Sequence, residues 1–196
     1  MCKFPLSQTL KYHFKWKKVY NETFADIPDR KVLHEVILPG LAAKPSVKSL
    51  LDIGCEWYNL HHQRVFTKQD YTTIDIEEDR KSFGAKKHVT GSVLDLDQYF
   101  EQGAFDLVIA NGIIGHGVTQ REDIIEMAKQ TAHVISPGGY FLLGWNDKGN
   151  GEPEVAPGAI FEEAGFTPSE IPGLDTAKHL AYAPTQHWFE LYQKAV

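Results

Sequence analysis

The chain has 196 residues, enough for one α/β domain with a sizeable core, and 42% of them are hydrophobic, which excludes a disordered segment. The formal charge is −6 and no run of Lys or Arg exceeds two, which argues against a nucleic-acid partner. Two cysteines make no disulfide framework, the N-terminus has no apolar signal core, and no apolar stretch reaches the roughly 18 residues of a membrane span, so the expectation is a cytoplasmic protein without a membrane partner.

In chain order, Ser7 can cap a helix through about Tyr20 that carries Leu10, Tyr12, His13, Phe14, Trp16 and Val19. These aromatics are too many for one face. Core packing takes most of them, which leaves some for a ligand or for a second copy in a homodimer. A second helix is expected over 29–38, ended by Pro39-Gly40. Residues 1–46 then form a helical lid, and 47–196 the main domain.

Strand one is expected over 49–53, a short helix over 59–66, strand two over 71–76 and a weak strand three over 88–90. Strand four covers 105–110 and a long helix 120–135. Pro137-Gly138-Gly139 reads as a turn before strand five at 140–145. A Gly/Pro-rich loop, a short helix over 159–164 and an alternating tail strand over 187–192 complete the chain. Strands alternating with helices predict a mostly parallel sheet with helices on both faces.

The stretch Ser49-Leu50-Leu51-Asp52-Ile53-Gly54-Cys55 is a buried strand running into a glycine turn, and about twenty residues later the next strand ends on Asp75. A glycine there lets backbone approach a ligand, and an acid at the next strand tip can accept bonds from ribose hydroxyls. Together they point to a nucleoside-containing cofactor.

Leu51-Asp52-Ile53-Gly54-Cys55 resembles the first motif of the class I S-adenosylmethionine-dependent methyltransferases, and 71–75 their second. Residues 105–112 are similar to their fourth strand, Ile135-Ser136-Pro137-Gly138-Gly139-Tyr140 to the turn before their fifth, and Phe161-Glu162-Glu163-Ala164-Gly165-Phe166 to a further segment. The likeness spans roughly 48–195. It implies a Rossmann-like three-layer sandwich whose seven-stranded sheet has order 3-2-1-4-5-7-6, strand seven being antiparallel. It also implies S-adenosylmethionine as cofactor and methyl transfer to oxygen, nitrogen or sulfur. Two departures stand out. Glu56 and Tyr58 occupy positions of the usual second and third glycines, and Gly91-Ser92 stands where an acid commonly meets the adenine amino group. The altered glycine loop supports an alternative, a catalytically inactive cofactor- or partner-binding module. A nicotinamide cofactor fits less well, because G-x-G-x-x-G is missing.

The expected cofactor contacts are Asp52, Gly54, Glu56, Asp75, Ser92, Val93 and Asn111. Glu56 can pair with the cofactor's amino group or repel its carboxylate. His116, in the loop after strand four, titrates near neutrality when unperturbed and is the candidate base for a hydroxyl, thiol or amine. Tyr12, Tyr20, Trp57, Tyr58, Trp145 and Asn146 are candidate walls of a substrate pocket. The spacing of His61, His62 and His116 specifies no metal site. The chain leaves little room for a macromolecular substrate domain, which favours a small molecule.

Overall fold

The computed structural model describes residues 27–149 and 152–196. Its centre is one eight-stranded sheet: β1 (Ser49–Ile53), β2 (Asp70–Asp75), β3 (Lys87–Thr90), β4 (Phe105–Asn111), β5 (Ile135–Asn146), β6 (Phe166–Pro168), β7 (Lys178–Tyr182) and β8 (His187–Lys194). The order is β3-β2-β1-β4-β5-β8-β6, with β7 also paired to β8. Strands β1 to β5 pair in parallel, and β8 runs antiparallel to β5. The expected order therefore stands, with one strand more than the seven expected. The edge of β8 is shared end to end: β6 pairs with its last residues and β7 with its first.

Apolar runs in β1, β4 and β5 are buried on both faces because helices cover both. On one face Leu51, Ile53, Val108, Phe141 and Leu143 pack with Ile124, Met127 and Ala128 of helix α3 (Arg121–Val134) and Phe161 of α4 (Gly158–Glu163). On the other, Leu50, Leu107, Ile109, Leu142 and Phe189 meet Leu33, Ile37, Leu38 and Leu41. These four belong to α1, a helical segment made of Pro28–Val32, a π-helical stretch Leu33–Ile37 and Leu38–Ala42. All four are fully buried, at about 1.5–3 kcal/mol each. This part of the expected lid is thus a layer of the core. The long aromatic helix expected over 7–20 lies outside the described residues.

Three local expectations need correction. Pro39-Gly40 does not end α1, which continues to Ala42. The wider turn brings the Leu38 N–H to Leu33 O just before Pro39, whose nitrogen has no hydrogen to give. Pro137-Gly138-Gly139 is an irregularity within β5, where the register against β4 shifts between Phe105 and Leu107. Gly138 takes φ +76° there, a conformation that favours glycine. The short helix expected over 59–66 begins as a 3₁₀ turn, Trp57–His61, followed by α2 (His62–Val65). Among the described residues no helix is long and apolar enough to cross a membrane.

Candidate active site

A cavity of about 620 Å³ opens at the carboxyl ends of β1, β2, β4 and β5. That volume suits a small molecule or cofactor. Its base is the turn after β1. Gly54 lies at φ +87° and donates its N–H to Ile74 O at 2.8 Å. The φ favours glycine, and a Cβ here would stand 2.8 Å from Ile113 Cδ1 of the loop after β4, which would have to shift. Asn59, also on the cavity wall, braces the same turn, its Nδ2 donating to Gly54 O at 2.9 Å.

Asp75 ends β2 and joins two loops. Its Oδ2 accepts the Cys55 N–H at 2.6 Å and its Oδ1 accepts the Glu77 N–H at 2.9 Å. Each carboxylate oxygen keeps a further acceptor site, so the group can hold the loops and still receive a diol. Ser92 follows β3 and caps the turn Val93–Gln98, its Oγ accepting the Leu94 N–H at 3.0 Å. Ile76 is 72% exposed on the cavity rim, an apolar surface suited to the face of a heteroaromatic ring.

Glu56 stands where a glycine was expected. Its carboxylate pairs with Arg80 Nη1 at 2.5 Å, and Arg80 Nε binds Glu77 Oε2 at 3.0 Å. Burial raises the Glu56 pKa, with the Arg80 guanidinium opposing the shift. Arg80 therefore offsets two acids beside Asp75. Tyr58 lies under the Arg30 guanidinium, 4.5 Å from the ring centroid.

The far end of the cavity is polar. His187 is buried, and its Nδ1 lies 2.7 Å from Asn146 Oδ1. Burial lowers its pKa to about 4, with Asp29 opposing and Arg30 assisting. His116 is exposed at the rim, in the loop after β4. Asn111, Asp29, Arg30, Tyr182 and Thr185 also line this end.

The cavity brings together Gly54, Glu56, Asp75, Ser92, Val93, Asn111, Tyr58, Asn146 and His116 of the residues expected from sequence. It does not bring Asp52, Trp57 or Trp145. Asp52 is buried one layer below the turn, where its Oδ2 accepts from Tyr71 Oη at 2.5 Å and binds His62 Nδ1 at 2.7 Å. Trp145 points to the opposite sheet face and donates its indole N–H to Glu190 Oε1 at 2.9 Å. Trp57 packs edge-on against Tyr58, outside the cavity lining. Tyr12, Tyr20 and His13 lie outside the described residues. Sequence reasoning missed Ile76, Arg80, Arg30 and His187. Of these only Ile76 carried a local signal, an apolar side chain directly after the strand-tip acid.

No family model and no curated protein matches the sequence. The fold has solved counterparts. It is similar to the N-methyltransferase NodS from Bradyrhizobium japonicum WM9, with TM-score 0.70 and 14% identity over 88% of this chain and 100% of that one. The same enzyme in complex with S-adenosyl-L-homocysteine gives TM-score 0.65 and 14% identity, over 86% and 89% of the two chains. A TehB-like SAM-dependent methyltransferase from Corynebacterium glutamicum ATCC 13032 gives TM-score 0.63 and 14% identity, over 96% and 98%. The chain thus has the Rossmann-like fold of class I methyltransferases.

Proposed function

We propose that the protein is an S-adenosylmethionine-dependent methyltransferase acting on a small molecule. The observation that carries this is Asp75: a carboxylate at the tip of β2, on the wall of a cavity whose base is the Gly54 turn. Neighbours of this fold include S-adenosylmethionine-dependent enzymes, and this chain keeps the parts that such a cofactor needs. Asp75 would hold the ribose hydroxyls, Ser92 and the exposed face of Ile76 the adenine, and the Gly54 turn the methionine chain. Glu56 does not block that path, because Arg80 holds its carboxylate. The cofactor supplies an electrophilic methyl on a sulfonium.

The protein's main contribution is to place the nucleophile in line with that methyl. In this reading the polar end, lined by Asn111, Asn146 and His187, is the place left for the substrate. With a hydroxyl or thiol, His116 at the rim is placed to receive the proton. The cavity's size supports a small molecule over a macromolecule. Calorimetry with S-adenosylmethionine and S-adenosylhomocysteine tests the reading. Saturable one-to-one binding of both is expected, and absence of binding to either refutes it.

A further inference from the structure

We propose that Tyr58 carries Arg30 beside the turn after β1, where the guanidinium receives the cofactor's carboxylate. The inference rests on the methyl-transfer reading above and assigns the anchor for the amino-acid end of that cofactor.

The chain brings Arg30 to this place through Tyr58. Asn59 Nδ2 donates to Gly54 O, which holds the 3₁₀ turn Trp57–His61 against the glycine turn. Tyr58 belongs to that 3₁₀ turn. Arg30, in the first turn of α1, has its Cζ 4.5 Å from the centroid of the Tyr58 ring. Gly54, Tyr58 and Arg30 line the same cavity, and the Arg30 side chain keeps 16% of its surface exposed. A guanidinium held over a ring is attracted through its charge, and most of its N–H donors stay available to an acceptor. A hydrogen bond with the Tyr58 hydroxyl takes one of them.

Charge decides what Arg30 can take. Among the described residues the lining carries the acids Asp29, Glu56, Asp75 and Glu77 and the bases Arg30 and Arg80. Arg80 is committed, its Nη1 pairing with Glu56 at 2.5 Å and its Nε with Glu77 at 3.0 Å. Arg30 Nε stands 3.9 Å from Asp29 Oδ2, too far for a hydrogen bond. Of the two arginines, Arg30 is therefore the one with capacity left for an anion.

S-adenosylmethionine brings one carboxylate together with an ammonium and a sulfonium. The positive groups suit a cavity in which acids outnumber bases. The carboxylate does not, and a charge brought out of water among acids needs a cation of its own. Arg30 supplies that cation next to the turn that would hold the methionine chain. The planar fork of its N–H groups matches a carboxylate. A tyrosine in place of the expected glycine at 58 thus has a use: it exchanges close backbone approach for a platform under a side-chain anchor.

Titration calorimetry on the full chain tests this with S-adenosylhomocysteine and its decarboxylated analogue, which keeps the nucleoside, the sulfur and the amine. Wild type should bind the analogue more weakly by about tenfold or more. Arg30→Met keeps the side chain's length and removes its charge. It should weaken S-adenosylhomocysteine to about the level of the analogue and leave the analogue's Kd within about twofold. Tyr58→Leu should weaken S-adenosylhomocysteine in the same direction and add nothing to Arg30→Met, because the ring acts through the guanidinium. Equal affinity of the wild type for the two ligands overturns the proposal, and that comparison needs no variant to fold. So does an Arg30→Met protein, folded by urea unfolding, that binds S-adenosylhomocysteine as wild type does or loses both ligands alike. Additive losses in the double variant remove Tyr58 from the role. If wild type binds neither ligand, the methyl-transfer reading itself falls; if it binds both alike, that reading stands and Arg30 leaves the site.

Discussion

Replacing Asp75 by Asn separates its two tasks. In the native chain each carboxylate oxygen already accepts one backbone N–H, from Cys55 at 2.6 Å and from Glu77 at 2.9 Å. An amide keeps one oxygen, so one N–H then faces an NH₂ group and loses a charge-assisted bond. Such bonds contribute about 1.5–3 kcal/mol, and the half-exposed setting of Asp75 puts the stability loss near the lower end. The cofactor loses a ribose bond of the same kind. At about 1.4 kcal/mol per tenfold, its Kd should rise roughly ten- to a hundredfold. Titration calorimetry with S-adenosylhomocysteine measures the second effect, and urea unfolding measures the first. A folded Asp75→Asn variant whose Kd stays within about twofold of wild type would remove Asp75 from the cofactor site.

Arg80→Ala should weaken S-adenosylhomocysteine binding, because Glu56 then faces the ligand's carboxylate unpaired. Adding Glu56→Gly should restore it, and a double variant as weak as the single one would show that Arg80 acts otherwise. Gly144→Ala puts a methyl 2.1 Å from Asn111 Oδ1 in a packed site and should cost about 1–3 kcal/mol in urea unfolding. Unchanged stability would contradict that packing. Burial lowers the pKa of His187 to about 4 and, with His62 and His61 beside it, that of His34 to about 2. The unfolded chain therefore binds more protons below pH 6.5. Stability is full above that value and should fall as pH drops toward 4 and beyond, by about 1.4 kcal/mol per unit for each histidine. His187→Gln and His34→Gln should each flatten this slope when unfolding is measured against pH, and slopes equal to wild type would refute the assignment.

The sheet was legible because its strands announce themselves: apolar runs ending in Asp52-Ile53-Gly54, in Asp75 and in Asn111-Gly112. β6 and β7 were not. One is three residues long, and the other, Lys-His-Leu-Ala-Tyr, is an edge strand with no fully buried position. The site was half legible, for a reason of parity. Successive strand residues face opposite ways, so Trp145 and Asn146 cannot both serve one pocket once β5 reaches Asn146. Phe141 and Leu143 share the face of Trp145, and their burial against α4 and its neighbours already fixes that direction. Asp52 fails similarly, because it lies inside β1 rather than beyond its tip. Arg80 and His187 were invisible because their partners are distant: Glu56 is 24 positions away from Arg80, and Asn146 is 41 from His187.

The loop after β1 carries side chains at two positions where the resemblance would have glycines. Glycines at 56 and 58 would spare the cavity by having no side chains. Here the side chains are present on the cavity wall, Glu56 paired with Arg80 and Tyr58 under the Arg30 guanidinium. Of these three positions Gly54, at φ +87°, is the one whose backbone favours glycine. The start of the loop is held on both sides of one peptide link, by Asn59 on Gly54 O and by Asp75 on the Cys55 N–H. Bonds to backbone survive a change of side chain at 56 or 58. Side chains at 56 and 58 are therefore compatible with the loop's course as long as a cation from elsewhere in the fold meets each of them.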